Sequence, residues 1–209
     1  ELALNEFFDA NRKELKCPTC GKKNFGRVIA KNLLVSSNLG VFEEGDKEVY
    51  LRGETAQGTY INFKNVLDTG FYSMPFGIAQ VGKVFRNEIS PRQFLFRMRE
   101  FEQMEMQYFV HARDADESYE RWKMARMEYY SRVVGIAKEK LRWKQHDNLV
   151  FYAKEAYDIE YRFPFGFKEL EGIHARGNYD LTQHSKFSGQ ELTYTDPTTN
   201  EKFIPHIIE

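Results

Sequence analysis

Residues 82–110, GKVFRNEISPRQFLFRMREFEQMEMQYFV, hold the densest set of side chains able to handle anionic and cationic groups together. Their alternation reads as two antiparallel strands joined by a charged loop, and alternate side chains of a strand share a face. On the first arm Val84, Arg86 and Glu88 point one way, and Lys83, Phe85 and Asn87 the other. On the second, Arg97, Arg99, Phe101, Gln103 and Glu105 share a face, opposite Met98, Met104, Met106 and Tyr108. One face gathers guanidinium groups, carboxylates and a ring, and the other is apolar enough to bury. The first face suits a ligand with an anionic part, a flat ring and a cationic amine, and ATP together with an amino acid meets that description. Alternating Arg and Glu more commonly form a solvated face with cross-strand ion pairs. Phe101 among charges and the further Arg92 in the 90–93 loop weigh against that here.

The rest of the chain must position this hairpin. With 209 residues, 42 % of them hydrophobic, 18 Phe and 12 Tyr, the chain can bury a sizeable core. A net charge of −1 gives no global basic field, so nucleic acid would be met by a local patch. No apolar run has membrane-spanning length, and no basic flank precedes an apolar run at the N-terminus. A cytoplasmic protein without membrane contact is the simplest expectation.

Residues 1–15 look helical, with Leu4, Phe7 and Phe8 on one side. Cys17-Pro-Thr-Cys20-Gly21 is a CxxC knuckle, either half of a zinc site or a tight turn. Residues 32–51 read as one or two strands around the Glu43-Glu44-Gly45-Asp46 turn. Arg52-Gly53-Glu54-Thr55-Ala56-Gln57-Gly58 is a polar turn leading into 59–64, which opens a helix, with Glu54 at the turn. Residues 114–144 read as a long helix capped by Asp114, with Tyr119, Trp122, Met127, Tyr130, Val133, Val134, Ala137 and Leu141 as its apolar stripe. From 149 to 167 the pattern is strand-like and aromatic, including Val150 and Tyr152. The stretch 167–180 is a second site-forming segment, in which His174 and His184 lack metal-ligand spacing and read as polar or nucleic-acid contacts. Residues 196–200 form a hairpin turn, and 203–209 end within an apparent strand, as in a piece of a longer protein.

These segments together resemble the catalytic domain of class II aminoacyl-tRNA synthetases, and within that class the glycyl-tRNA synthetases of the dimeric type. The resemblance rests on Phe85-Arg86-Asn87-Glu88 with REFEQMEMQ as that class's motif 2, on LRGETAQG (Gly53 where proline is usual), on KELEGIHARGNYDL and on the closing PHIIE. It runs in order from about Cys17 to Glu209. It implies an α+β fold, an antiparallel sheet flanked by helices, with residues 1–209 as one catalytic core divided at 31, 113 and 148. It implies that glycine is activated with ATP to glycyl-adenylate and transferred to the 3′ end of tRNA(Gly).

By resemblance, Arg86 is the catalytic arginine, on the α-phosphate and the glycine carboxylate. Asn87, Glu88, Phe96, Arg97, Arg99, Glu100, Phe101, Glu169 and Leu170 join it in binding ATP with Mg2+. Phe101 stacks on adenine and Arg97 reaches the γ-phosphate. Glu54, Phe101, Gln103, Glu105 and Glu209 form the glycine pocket. Lys83, Arg92, Arg176 and Lys186 are candidates for the tRNA acceptor stem, and a homodimer is implied. Motif 3 and an anticodon-binding domain are not found after Glu209, and motif 1 is not located. The alternatives are an impaired synthetase-like fragment or paralogue that binds RNA or a protein partner, and an adenylating ligase for another small amino acid or a carrier protein.

Overall fold

The computed structural model describes residues 2–26, 29–40, 47–70, 72–149 and 153–209, with side chains from Asn5 onwards. The 43–46 turn, Val150 and Tyr152 lie outside the described residues, as does the Leu4 side chain. The chain divides into two compact units, residues 1–53 with 85–100, and residues 54–84 with 101–209.

The first unit opens with α1 (Leu2–Asn11), followed by the cysteine knuckle. Phe8 meets Phe25 edge to face at 5.4 Å. The knuckle is a tight turn: Cys17 N–H donates to the Lys22 carbonyl, Gly21 N–H to the Cys17 carbonyl, and Gly21 takes a φ of 68°. Its amides draw the Cys17 thiol below its ordinary range, Cys20's first and then Thr19's. Strands β1 (Ser36–Leu39) and β2 (Lys47–Tyr50) pair antiparallel, which accounts for the two strands read there. The remaining piece is the 86–99 loop.

The second unit holds α2 (Ala56–Gly70), β3 (Phe76–Phe85), β4 (Glu100–Val110), α3 (Ala115–Glu128), β5 (Leu141–Gln145), β6 (Glu155–Phe163), β7 (Gly166–Gly177), α4 (Tyr179–Ser188), β8 (Tyr194–Thr195), β9 (Lys202–Phe203) and β10 (His206–Ile208). The outermost residues of β3 and β4, Phe85 and Glu100, belong to the first unit. Six strands form one sheet in the order β3-β4-β10-β7-β6-β5, and β8 pairs with β9 around the 196–200 turn. That turn is fixed by Asp196, whose Oδ1 accepts from the Thr198 and Thr199 amides.

Strand alternation splits this sheet into two buried faces. Phe76, Phe109 and Ile207 point to one face, where Ala56, Tyr60 and Phe63 of α2 and Leu181 of α4 cover them. Val110, Ile208, Ile173, Ile159 and Leu141 point to the other, where Tyr119 of α3 packs. Each face is a hydrophobic core, so the antiparallel sheet sits between two layers of helix.

Three expectations are corrected. The helix read over 114–144 ends early. After α3 the chain passes through a π-helical turn, Tyr129–Val133, and then Gly135 with φ 79°. The segment 141–145 is strand β5, because Leu141 and Trp143 alternate inward against β6. Val133 and Val134 accordingly stay exposed. Asp114 occupies the cap position of α3 but makes no capping hydrogen bond. On the second arm of the hairpin, the face expected to be apolar and buried carries Met104 at 71 % exposure. Only the far end of that face, at Tyr108, packs on a core, while on the opposite face Gln107 and Phe109 lie fully buried on the α2 side.

Candidate active site

The polar face of β4 runs inward from Phe101 through Gln103 and Glu105 to the buried Gln107. The residues before α2 meet it. Thr55, fully buried, donates from Oγ1 to Glu105 Oε2 at 2.5 Å. Burial pushes the Glu105 carboxyl up. The Thr55 bond pulls it down, the Glu209 and Glu54 charges raise it, and the Ala56 amide lowers it, with a net rise. Glu54, half-buried, accepts from Gln57 Nε2 at 3.0 Å, and Gln57 Oε1 lies 2.9 Å from His184 Nε2. Among the described residues neither Glu54 nor Glu105 is ion-paired. Gln103 Oε1 is buried with no hydrogen-bond partner. Among the described residues Glu54 and Glu105 therefore lack a cation, and the buried Gln103 Oε1 lacks a donor, which is costly unless a ligand supplies one.

Glu209 is the opposite case. Its Oε1 accepts from Gln107 Nε2 at 3.1 Å, while Oε2 accepts from Arg176 Nη1 at 2.7 Å and lies 2.9 Å from His174 Nδ1. Arg176 forks onto Asp180, 2.9 Å from Nε to Oδ2 and 3.0 Å from Nη2 to Oδ1. Tyr60 donates to Gln107 Oε1 at 2.8 Å and places its ring 5.7 Å from the Arg176 guanidinium. Burial alone would raise the Glu209 carboxyl, but His174 and Arg176 overcome it and hold it down to about 2. Glu209 is thus fixed in position, charged, and spent on its neighbours.

In the first unit Arg86, Arg97 and Arg99 are exposed, and backbone carbonyls hold Arg86 and Arg99. Arg86 donates from its amide to the Arg99 carbonyl at 2.9 Å and from Nε to the Gly53 carbonyl at 3.2 Å. Asn87 is tied through its amide to Leu33 O and through Nδ2 to Asn32 O at 3.0 Å. Arg97 pairs with Glu88 at 3.3 Å, and Arg99 Nε donates to the Glu88 carbonyl at 3.0 Å. The loop tip is a 3₁₀ turn, Phe94–Phe96, entered through Gln93 and Phe94 at φ 58° and 54°. Two non-glycine residues in the left-handed region mark local strain. Arg86 through Glu88 and Arg97 through Arg99 lie beyond the strand ends, so strand alternation does not set their directions. Phe96 and Glu100 are exposed.

On β7, Glu169 is exposed, whereas Leu170 packs with the α3-side core. The strand slips register there, between the partners of Ile159 and Glu160, which turns Leu170 across. What Leu170 offers to the other face is backbone.

The structure corrects one nucleic-acid assignment: Arg176 is 3 % exposed and bound to Asp180 and Glu209, so it cannot reach an acceptor stem. Lys83, Arg92 and Lys186 are exposed. His174 and His184 are engaged within the unit, with Glu209 and Gln57. Thr55, Tyr60, Gln107 and Asp180 belong to the site and were not singled out from sequence. The four-residue spacing between Arg176, at the end of β7, and Asp180, in the first turn of α4, was the one available signal.

The family model for the tRNA synthetase class II core domain (G, H, P, S and T) matches residues 38–209. The chain is 51 % identical over 209 residues to the "Glycine--tRNA ligase" of Borrelia garinii subsp. bavariensis, covering 98 % of this chain and 46 % of that protein. It is 49 % identical over 195 residues to the protein of that name from Chlorobaculum tepidum, covering 93 % and 42 %. The chain thus spans less than half the length of these curated relatives. A Giardia lamblia prolyl-tRNA synthetase in complex with prolyl-adenylate superposes with a TM-score of 0.64 at 19 % identity, over 84 % of this chain and 34 % of that one, which is a likeness of fold. The α+β architecture and the match over most of its length establish that the chain belongs to the class II tRNA synthetase core-domain family.

Proposed function

We propose that this chain carries the glycine-activating centre of a glycine–tRNA ligase, working in the cytoplasm as a homodimer, with residues 1–209 as part of one catalytic core. The observation that carries the reading is the set of acceptors around Thr55. Glu54, Glu105 and the Gln103 carbonyl suit a small ammonium group, and Glu209, pinned by Arg176 and His174, closes the pocket rather than binding the ammonium. Glycine presents no side chain to grip, so selectivity comes from excluding a methyl group. The near 50 % identity to glycine–tRNA ligases supports that substrate.

The glycine carboxylate oxygen attacks the α-phosphorus of ATP, the bond to the β-phosphate oxygen breaks, and pyrophosphate leaves. Both reactants are anionic, so fixed cations must offset their repulsion and the charge that develops. Exposed arginines fit this need: a planar fork binds phosphate or carboxylate and stays charged. Arg86 serves the α-phosphate and glycine carboxylate, and Arg97 the γ-phosphate. Phe101 stacks on adenine, with Asn87, Glu88, Phe96, Arg99, Glu100, Glu169 and the Leu170 backbone completing the ATP set. Glu169, exposed on β7, would help hold a Mg2+ ion bound with ATP, and such an ion would offset the phosphate charge. No protein nucleophile is required; alignment supplies much of the rate. The glycyl group then passes to the 3′ end of tRNA(Gly), and pyrophosphate exchange tests the first step. In the full-length protein exchange should depend on ATP and glycine, with alanine and serine inert. Equal exchange with alanine would point to a different adenylating ligase, and none with any amino acid to an RNA- or protein-binding paralogue.

A further inference from the structure

On the same sheet face as Glu209, three side chains from adjacent strands converge outside the proposed glycine pocket. His146 follows β5 directly, Asp158 lies on β6 and His174 on β7, and one ligand atom from each falls within 4.8 Å of the others. Asp158 faces Gly172 across the ladder, and Ala156 faces His174. The side chains are 34 %, 13 % and 24 % exposed, so the cluster opens to solvent on one side.

An ordinary ion pair accounts for only part of this. His146 Nε2 lies 2.7 Å from Asp158 Oδ1, a complete hydrogen bond in itself. His174 adds a second imidazole whose Nδ1 is taken by Glu209 at 2.9 Å, leaving Nε2, which lies beside Gly172, for a ligand. A histidine held at one nitrogen by a carboxylate, with the other nitrogen free, is the arrangement that orients metal ligands. Gly172 provides the second observation. A Cβ there would lie 3.0 Å from His174 Nε2, 3.1 Å from its Cε1 and 3.5 Å from Asp158 Oδ1. The glycine therefore keeps open the space beside two of the three ligand atoms.

We propose that His146, Asp158 and His174 form a binding site for a divalent transition metal of the zinc class, with solvent completing the coordination. Two imidazoles and one carboxylate match zinc, cobalt or nickel, not magnesium or calcium, which take oxygen ligands. With metal–nitrogen bonds near 2.0–2.1 Å, tetrahedral ligand atoms stand about 3.3 Å apart. To meet that spacing the 2.7 Å His146–Asp158 contact would open by about 0.6 Å, and a separation at the 4.8 Å bound of the cluster would close by about 1.5 Å. The ion would clamp β5, β6 and β7 together and fix His174 with its proton on Nδ1, facing Glu209. The cluster is thus joined to the pocket wall through a single hydrogen bond.

The test uses the full-length protein in a Cys17→Ser/Cys20→Ser background, so that the knuckle takes no metal. Metal-stripped protein is titrated with Co2+ and followed by its visible ligand-field absorption and by equilibrium dialysis. The parent should bind Co2+ and release it to Zn2+, and His146→Ala and His174→Ala should each lose that component. Gly172→Ala, which keeps every ligand, should weaken binding at least tenfold, and circular dichroism checks that it folds. No Co2+ uptake by the parent, or absorption unchanged in folded Gly172→Ala and His174→Ala, overturns the assignment.

Discussion

Replacing Arg176 by methionine tests whether the buried Arg176–Asp180–Glu209 network holds the pocket wall. The substitution keeps the volume of the stem but strands Asp180 and Glu209, whose side chains are only 7 % and 11 % exposed. Removing one partner of a buried ion pair costs roughly 3–5 kcal/mol. An independent route gives a similar figure. Glu209 is held at about 2 against an ordinary 4.5, and each unit is worth about 1.4 kcal/mol, so about 3 kcal/mol rests on this one carboxylate. The sign follows from the depressed value: the stabilisation is complete above the ordinary value of 4.5 and fades as pH falls toward about 2. The difference between parent and Arg176→Met should therefore be full at pH 7 and smaller by about 1 kcal/mol at pH 4. Native-state hydrogen exchange suits the question, because the His174 and Glu209 amides each donate to the other's carbonyl. Opening free energies for peptides covering β7 and β10, corrected for intrinsic exchange, report directly on this junction. A variant within 1 kcal/mol of the parent at pH 7, or a deficit that does not shrink in acid, would refute the reasoning.

Arg86→Ala should abolish glycine-dependent pyrophosphate exchange while circular dichroism stays unchanged; near-normal exchange would contradict its role on the α-phosphate. Phe101→Ala should raise KM for ATP more than KM for glycine, and the reverse pattern would count against stacking on adenine. Since burial raises the Glu105 carboxyl, KM for glycine should climb as pH falls at values still above the ordinary 4.5, and Glu105→Gln should flatten that rise; an unchanged profile in the variant would exclude Glu105 as the acceptor. Tyr119→Phe removes the 3.1 Å bond to the Ile173 carbonyl and should cost about 1 kcal/mol, read from the same exchange experiment on β7.

The elements legible in the sequence were those whose periodicity matched their environment. The two strands around 36–50, the turn at 196–200 and the two arms of the 82–110 hairpin emerged, although β3 ends at Phe85 and β4 begins at Glu100, which leaves Arg86, Glu88, Arg97 and Arg99 in the loop. The helix over 114–144 was overextended because Leu141 fits a helical stripe as well as a strand. Only the positive φ of Gly135 and pairing with β6 decide between them. The faces of β4 were legible in grouping but not in burial. Glu105 and Gln107 are polar in sequence, yet they lie inward because Thr55, just before α2, and Tyr60, on α2, supply hydrogen-bond partners from 47 and more residues away. Arg176 failed for the same reason: a basic residue reads as surface until the acids around it are seen in space. His146 gave no signal at all, since Asp158 and His174 stand beside it only through strand pairing.

The three-residue strand β10 lies between β4 and β7, and it follows both of them along the chain by long intervals. Until it docks, the β3–β4 ribbon and the β5–β6–β7 meander each present a raw edge, and loop closure across those intervals makes the joining step slow. Glu209 follows β10 immediately, so the acid wall of the pocket is assembled by the same event that zips the halves. Without residues 206–209 the β4 and β7 edges stay unpaired, and Arg176 loses one of its two carboxylate partners.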